Sequence, residues 1–444
     1  MTRAFTGLFR RWATRDTSRS SRNATLETPT GAWKMSDPVA PTWQLSDSDP
    51  HEAYPMINGS KRNSQPIRWA MVGGGSQSQI GYIHRCAALR DNTFVLVAGA
   101  FDIDPIRGSA FGEQLGVDRE RCYADYLSMF EQEARRADGV QAVSIATPNG
   151  THYSITKAAL EAGLHVVCEK PLCFTVEQAE NLRELSHKHN RIVGVTYGYA
   201  GHQLIEQARE MIAAGELGDV RMVHMQFAHG FHSAPVEAQS QATQWRVDPR
   251  QAGPSYVLGD VGTHPLYLSE VMLPDLKIKR PMCSRQSFVA SRAPLEDNAY
   301  TLMEYEGGAM GMVWSSAVNA GSMHGQKIRV IGSRASLEWW DERPNQLSFE
   351  VQGQPAQILE RGMGYLHPNA LIDDRIGGGH PEGLFEAWAN LYYRFALAMD
   401  ATDRSDAQAL SAVRYPGIDA GVEGVRWVER CVLSADNDSI WVAY

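Results

Sequence analysis

The chain has 444 residues, room for two or three domains at about 100–200 residues each. Its 43% hydrophobic and 21% charged residues are ordinary for a packed protein and exclude disorder along the whole length. A net charge of −9 argues against nucleic acid, which asks for a basic face, but not against a small anion at a helix N-terminus.

No apolar run has the length of a membrane span, so no membrane partner is expected. Six cysteines are scattered and form no CxxC pair. A disulfide framework or structural zinc site is therefore not expected, and a reducing cytoplasm is. Residues 1–60 are rich in Ser, Thr, Pro and Arg, without apolar period, and read as a disordered tail. Arg10-Arg11 lacks the apolar stretch an export signal needs. Met1–Arg22 is Arg-rich and nearly acid-free, as in a transit peptide, but its helical period is weak. An over-extended reading frame, starting at Met35 or Met56, is a third reading.

Short apolar runs predict strands at Ile67–Val72, Phe94–Phe101, Ala142–Ala146, His165–Cys168 and Ile192–Val195. Between them lie helical patterns at Ile80–Arg90, Pro105–Leu115, Tyr126–Arg135, His152–Ala162 and Val176–His189. Gly116 and Gly163 read as helix stops. This alternation predicts α/β architecture: a Rossmann-type, doubly wound parallel sheet over residues 61–197.

The first strand runs into Gly73-Gly74-Gly75. A dinucleotide site needs glycine there, because backbone must approach the pyrophosphate closely. Gly73 and Gly75 fit the first two positions, but Ser78 stands where the third glycine belongs. The turn through Ser76 therefore reads as lengthened, with a helix starting near Gly81. Asp102 closes the second strand, where a carboxylate can take the ribose hydroxyls and repel a 2′-phosphate. With Ile103 next to it instead of a cation, NAD is favoured over NADP.

The third strand ends in Thr147-Pro148-Asn149, with His152 just beyond. The fourth follows Ala162-Gly163-Leu164 and ends in Glu169-Lys170-Pro171-Leu172. Asp260-x-x-x-His264 comes later. In this order and spacing the chain, from Ile67 onward, resembles the glucose–fructose oxidoreductase, inositol dehydrogenase and MocA family. The resemblance implies a Rossmann domain and a C-terminal α+β domain, residues 198–444. The second domain's open, mostly antiparallel sheet packs on the first and often mediates oligomers, so a homodimer or homotetramer is expected. It also implies Lys170, Asp260 and His264 as the catalytic set. Cofactor contacts are expected from Gly73, Gly75, Ser76, Gly81, Asp102, Thr147, Asn149, His152 and Glu169, with Gly81 the weakest.

Hydride loss from an alcohol leaves an alkoxide-like oxygen whose proton needs a base. His264 is that candidate, with a proton affinity suited to neutral pH. Asp260, four residues earlier, can fix its tautomer. Pro265 disfavours helix at His264, so the pair is expected at a helix start with Pro265 in the first turn. Lys170 can stabilise charge developing on the oxygen. Substrate contacts are expected from Tyr199, His202, Trp245, Arg246 and His380, whose rings and polar groups suit a sugar or polyol. His224 and His229 have opposite strand parity, and no metal site is expected.

Beyond Val220, strands are predicted at Val220–Phe227, Cys283–Ala290, Ala299–Tyr305, Met310–Ser316, Gln326–Ile331 and Ala335–Trp340. Gly307-Gly308 and Gly332-Ser333-Arg334 read as turns. Leu384–Met399 predicts an amphipathic helix with Trp388, Leu391, Tyr392 and Phe395 on one face, covering a sheet or returning to the cofactor domain. Together these features predict NAD-dependent oxidation of a secondary hydroxyl on a sugar or cyclitol, an inositol-like polyol first. The rivals are a sugar oxidoreductase that keeps its nucleotide bound and a non-catalytic nucleotide-binding sensor.

Overall fold

Five short runs of Val, Ile, Ala and Met, mostly buried, form strands β1 (Ile67–Gly73), β2 (Phe94–Ala100), β3 (Ala142–Ala146), β4 (His165–Cys168) and β5 (Val193–Val195). Burial on both faces is what a parallel sheet under helices demands. The strands pair in parallel, in the order β2-β1-β3-β4-β5. The computed structural model describes residues 65–238 and 241–444, and the expected tail at residues 1–60 lies outside them.

The expected helices form between the strands as α1 (Gln79–Leu89), α2 (Pro105–Gln114), α3 (Tyr126–Glu133), α4 (His152–Glu161) and α5 (Val176–His189). Helix α1 starts two residues before Gly81, because the Ser78 hydroxyl caps it by accepting from the Gly81 N–H at 3.0 Å. Gly116 and Gly163 do end their helices, each with φ near +80°. Strand order reverses between β1 and β3, whose last residues Gly73 and Ala146 are paired. A crevice for ligand opens at such a point.

After α6 (Gln203–Ala213) come β6 (Val220–Ala228), α7 (Thr263–Met272), β7 (Ile278–Gln286), β8 (Asn298–Tyr305) and β9 (Met310–Ser316). Then follow β10 (Gln326–Gly332), β11 (Ala335–Trp340), β12 (Gln346–Val351) and β13 (Gln357–Glu360). They form one sheet in the order β13-β12-β11-β10-β6-β9-β8-β7, antiparallel except for β6 against β9. Strand β7 begins at Ile278, not Cys283, and ends at Gln286. Lys279 and Arg280 hid its start, since both point outward to Glu304 on β8. Strands β12 and β13 were not anticipated. They lie at the sheet's edge, where half-exposed residues such as Gln346, Gln357 and Glu360 blur the alternation.

Helix α8 (Leu384–Asp403) forms where expected and returns to the cofactor sheet. Trp388, Leu391, Tyr392 and Phe395 are buried in one cluster with Trp69 and Met71 of β1 and Phe94 of β2. A final helix, α9 (Ile418–Asp436), places Val422 and Val425 against the sheet's other face, in the cluster of Val166 and Val195. The loop before α8 is pinned by Arg375, which makes buried 2.7 Å bonds from both terminal nitrogens to Asp91. Trp388 is 4% exposed, so Trp388→Ala is expected to destabilise the protein by about 3–5 kcal/mol. Urea unfolding measures this, and a loss below about 1 kcal/mol would mean α8 is not part of that core.

Candidate active site

Backbone at the β1 turn has been cleared of side chains. Gly73 and Gly74 have φ of +74° and +68°. A Cβ at Gly73 would stand 2.5 Å from the Ala146 carbonyl oxygen, and one at Gly75 2.8 Å from that of Phe101. The first-turn N–H groups of α1 lack intrahelical partners. Bare backbone beside a helix N-terminus fits a pyrophosphate. Arg85 on α1, missed in the sequence, braces this turn by donating to the Gly74 carbonyl at 2.6 Å. At Gly81 a Cβ would lie 2.4 Å from Gly74 Cα, so glycine there lets the helix pack on the turn.

Asp102 stands beside Gly75, its Oδ2 being 3.5 Å from where a Gly75 Cβ would be. The Arg107 guanidinium donates to it at 2.8 and 3.3 Å and, as the main cause, holds its carboxyl below the ordinary range. Asp102→Ala removes the carboxylate and frees Arg107. The NADP+-to-NAD+ affinity ratio is expected to rise about tenfold or more in calorimetric titrations. An unchanged ratio would remove Asp102 from cofactor choice.

Thr147 packs against the glycine turn. Thr147 Cγ2 lies 2.7 Å from the missing Gly73 Cβ, and Asn149 opens the turn before α4. Ser76 is exposed on the glycine turn. His152 is fully buried, with Nδ1 2.8 Å from the Pro171 oxygen and Nε2 2.9 Å from that of Thr147. It ties two turns together and offers no free group, contrary to expectation. Glu169 also faces inward. It accepts from Thr196 Oγ1 at 2.6 Å and His84 Nε2 at 3.0 Å. Burial would push its carboxyl up, but His84 and Lys170 outweigh this and hold it down. His84 Nδ1 meets the Tyr392 hydroxyl at 2.5 Å, which meets Ser144 at 2.7 Å. Trp69, a pure donor, ends this buried chain at Ser144, 2.9 Å away.

Lys170 and Asp260, ninety positions apart, are in contact. Lys170 Nζ donates to the Asp260 carbonyl at 2.5 Å and to Oδ1 at 3.0 Å. Asp260 sits in a π-helical turn, Leu258–Gly262, that runs directly into α7. Such turns often mark functional sites. Pro265 is in the first turn of α7, as expected, and has no N–H for the turn before it. The Asp260 carbonyl takes the ammonium. Arg246 Nε lies 3.4 Å from Asp260 Oδ2 and stacks on Trp245 at 4.6 Å. Burial alone would raise the Asp260 carboxyl, but Lys170 and Arg246 hold it well below the usual range.

His264 corrects two expectations. It makes no hydrogen bond to Asp260, and its Nδ1 is buried without a partner, because the carboxylate is taken by Lys170 and Arg246. Its proton affinity is also not near neutral. Burial first, then the Lys170 ammonium, pushes it well below 6.5. Tyr199 lies edge-on to the His264 ring at 4.9 Å, and its hydroxyl reaches His324 Nε2 at 3.2 Å.

Two expected substrate residues have other partners. His202 is 8% exposed and packs on Trp339 at 5.2 Å, and burial lowers its proton affinity to about 4. His380 is on an exposed loop whose carbonyl holds Arg361, with no bond to Lys170, Asp260 or His264. No site role was expected of His229, His232 or His324, yet all are close enough to Asp260 or His264 to interact electrostatically. Only the parity of His224, exposed on β6 while His229 is buried beyond its end, hinted that they differ. Among the described residues no group of His, Cys, Asp and Glu has the arrangement of a metal site, and no helix is long and apolar enough to cross a membrane. All six cysteines are free.

A glycine turn fit for a pyrophosphate, together with a lysine ammonium paired to a carboxylate near a buried imidazole, is the arrangement of a nicotinamide-dependent oxidoreductase. Residues 67–197 match the family model described as the NAD-binding Rossmann fold of the Gfo/Idh/MocA oxidoreductases, and 209–444 match that family's C-terminal alpha/beta domain. The chain belongs to this family. It is 57% identical over 391 residues to the uncharacterized oxidoreductase YfiI of Bacillus subtilis, spanning 88% of this chain and 100% of that one. A crystal structure of an oxidoreductase from Pseudomonas syringae is 94% identical with a TM-score of 0.81, over 86% of this chain and 100% of that one. An inositol dehydrogenase homolog from Azotobacter vinelandii, complexed with NAD+, is 81% identical with a TM-score of 0.87, over 88% and 100%. A second structure of that homolog holds NADH and myo-inositol, at 79% identity and a TM-score of 0.85, over 87% and 100%.

Proposed function

We propose that this protein oxidises a secondary hydroxyl of a cyclitol or sugar, myo-inositol or a close analogue first, with NAD as acceptor. The observation carrying this reading is the pairing of Lys170 with Asp260 close to the His264 ring. The ammonium is near enough to His264 to depress its proton affinity. The Azotobacter homolog with NADH and myo-inositol supports the substrate class.

Lys170 has three N–H donors, and Asp260 takes two of them. The third is free for the substrate oxygen, where it stabilises the negative charge of an incipient alkoxide. Asp260 stays ionised and fixes the ammonium. His264 is neutral at working pH, and its unprotonated ring nitrogen would take the hydroxyl proton. NAD, when bound, supplies the hydride acceptor. Gly73, Gly75 and Asp102 would hold it, with Thr147 and Asn149 along the crevice.

The test is purified protein with NAD+ and a panel of cyclitols and sugars, followed at the NADH absorbance. Turnover is expected with myo-inositol or a related polyol. NAD binding without turnover of any member would favour the sensor.

A further inference from the structure

If His264 is the base, as proposed above, its ring must be aimed. A misplacement of about 1 Å can lower a rate about 100-fold. Asp260, the obvious aiming group, makes no hydrogen bond to it, and Nδ1 has no partner. Aromatic rings enclose it instead. Tyr199 stands edge-on at 4.9 Å, Tyr197 edge-on at 6.0 Å and Phe227 tilted at 5.9 Å.

Two of these rings are tied to a second histidine. Tyr199 is bonded to His324 Nε2 at 3.2 Å, and Phe227 packs on the His324 ring at 4.6 Å. His324 Nδ1 is bonded to the buried side chain of Asp341, and its backbone N–H donates to Glu342 at 3.1 Å. Asp341 therefore accepts from the Nδ1–H group, which leaves Nε2 to accept from the Tyr199 hydroxyl. The phenol is held at its far end while its ring lies perpendicular to that of His264.

We propose that the chain Asp341–His324–Tyr199 locks an aromatic clamp that orients the His264 imidazole. Asp260 is thereby left to position Lys170. Asp341, His324 and Tyr199 are positioning residues in this scheme. Tyr199 acts through its ring, and its hydroxyl serves the lock.

The test compares Tyr199→Phe and Tyr199→Leu in the full-length protein. Each is assayed with NAD+ and myo-inositol, and the histidine tautomers are read by nitrogen NMR without substrate. Tyr199→Phe keeps the ring but cuts its bond to His324, so the His264 signal is expected to broaden and kcat to fall about 3- to 10-fold, with KM within about threefold of the native protein. Tyr199→Leu removes the ring. His264 is expected to lose its single tautomer and kcat to fall about 30- to 100-fold, with KM changed less than about threefold. Asp341→Asn leaves all rings in place and is expected to broaden the His264 signal and lower kcat about 3- to 10-fold. It carries the test if Tyr199→Leu does not fold, as judged by circular dichroism. A Tyr199→Leu protein with native kcat and tautomer overturns the clamp. So does a Tyr199→Phe protein whose KM rises tenfold, because the hydroxyl then serves substrate. The NMR comparison needs no turnover, so it decides the clamp even if His264→Gln retains activity and the base reading fails.

Discussion

Lys170→Ala is expected to lower kcat by about 100-fold or more while the NAD+ dissociation constant changes less than about threefold. The reason is positional. The Lys170 ammonium bonds to Asp260 and makes no hydrogen bond to the glycine turn. Its ammonium is nearly buried, with a side chain 12% exposed, so a charge forming beside it is little screened by water. Alanine also strips Asp260 of its main partner. Arg246 at 3.4 Å, with His229, is then left to oppose burial, and the Asp260 proton affinity rises. Steady-state kinetics with calorimetric NAD+ titration checks the split between rate and affinity. A native kcat would end the oxyanion role. A lost NAD+ affinity would move Lys170 into the cofactor site.

His264→Gln is expected to lower kcat by about 100- to 10,000-fold, because glutamine cannot hold the hydroxyl proton. The pH profile of the native protein gives an independent check. His264 must be neutral to act, and burial with Lys170 pushes its proton affinity well below 6.5. The plateau of kcat/KM should therefore run down through pH 6.5, with the acid limb below it. A limb at or above 6.5 would assign the base elsewhere. Stability follows the same sign. The unfolded chain takes a proton near 6.5 and the folded site refuses it, so this stability is present above 6.5 and lost as pH falls below. His202 and His229, both lowered to about 4 chiefly by burial, act in the same direction. Melting temperature should drop between pH 6.5 and 4, less steeply in His264→Gln.

The parallel sheet was legible because each strand is an apolar run closed by glycine or polar residues, and its helices carry their own caps. Asp104 caps α2 as its place before Pro105 implies, accepting from the Ile106 and Arg107 N–H groups at 2.9 and 3.1 Å. The outer strands β12 and β13 were not legible, since half-exposed polar residues break their alternation. The start of β7 was hidden for the same reason. Among site residues, Lys170, Asp260 and His264 could be named from motifs. The orphaned His264 Nδ1, and the buried duties of His152, Glu169 and His202, could not be read along the chain.

The residue order by itself determined the alternating fold, the glycine turn, the acidic end of β2 and the three residues proposed for catalysis. These are local matters of backbone conformation, capping and motif spacing. The tertiary structure alone decided that Asp260 pairs with Lys170 and Arg246 and not with His264, and that Arg107 guards Asp102. It also decided that His324 and Asp341 stand behind Tyr199. Burial and charge depend on what the fold brings near, so proton affinities and hydrogen-bond partners belong to packing across distant segments.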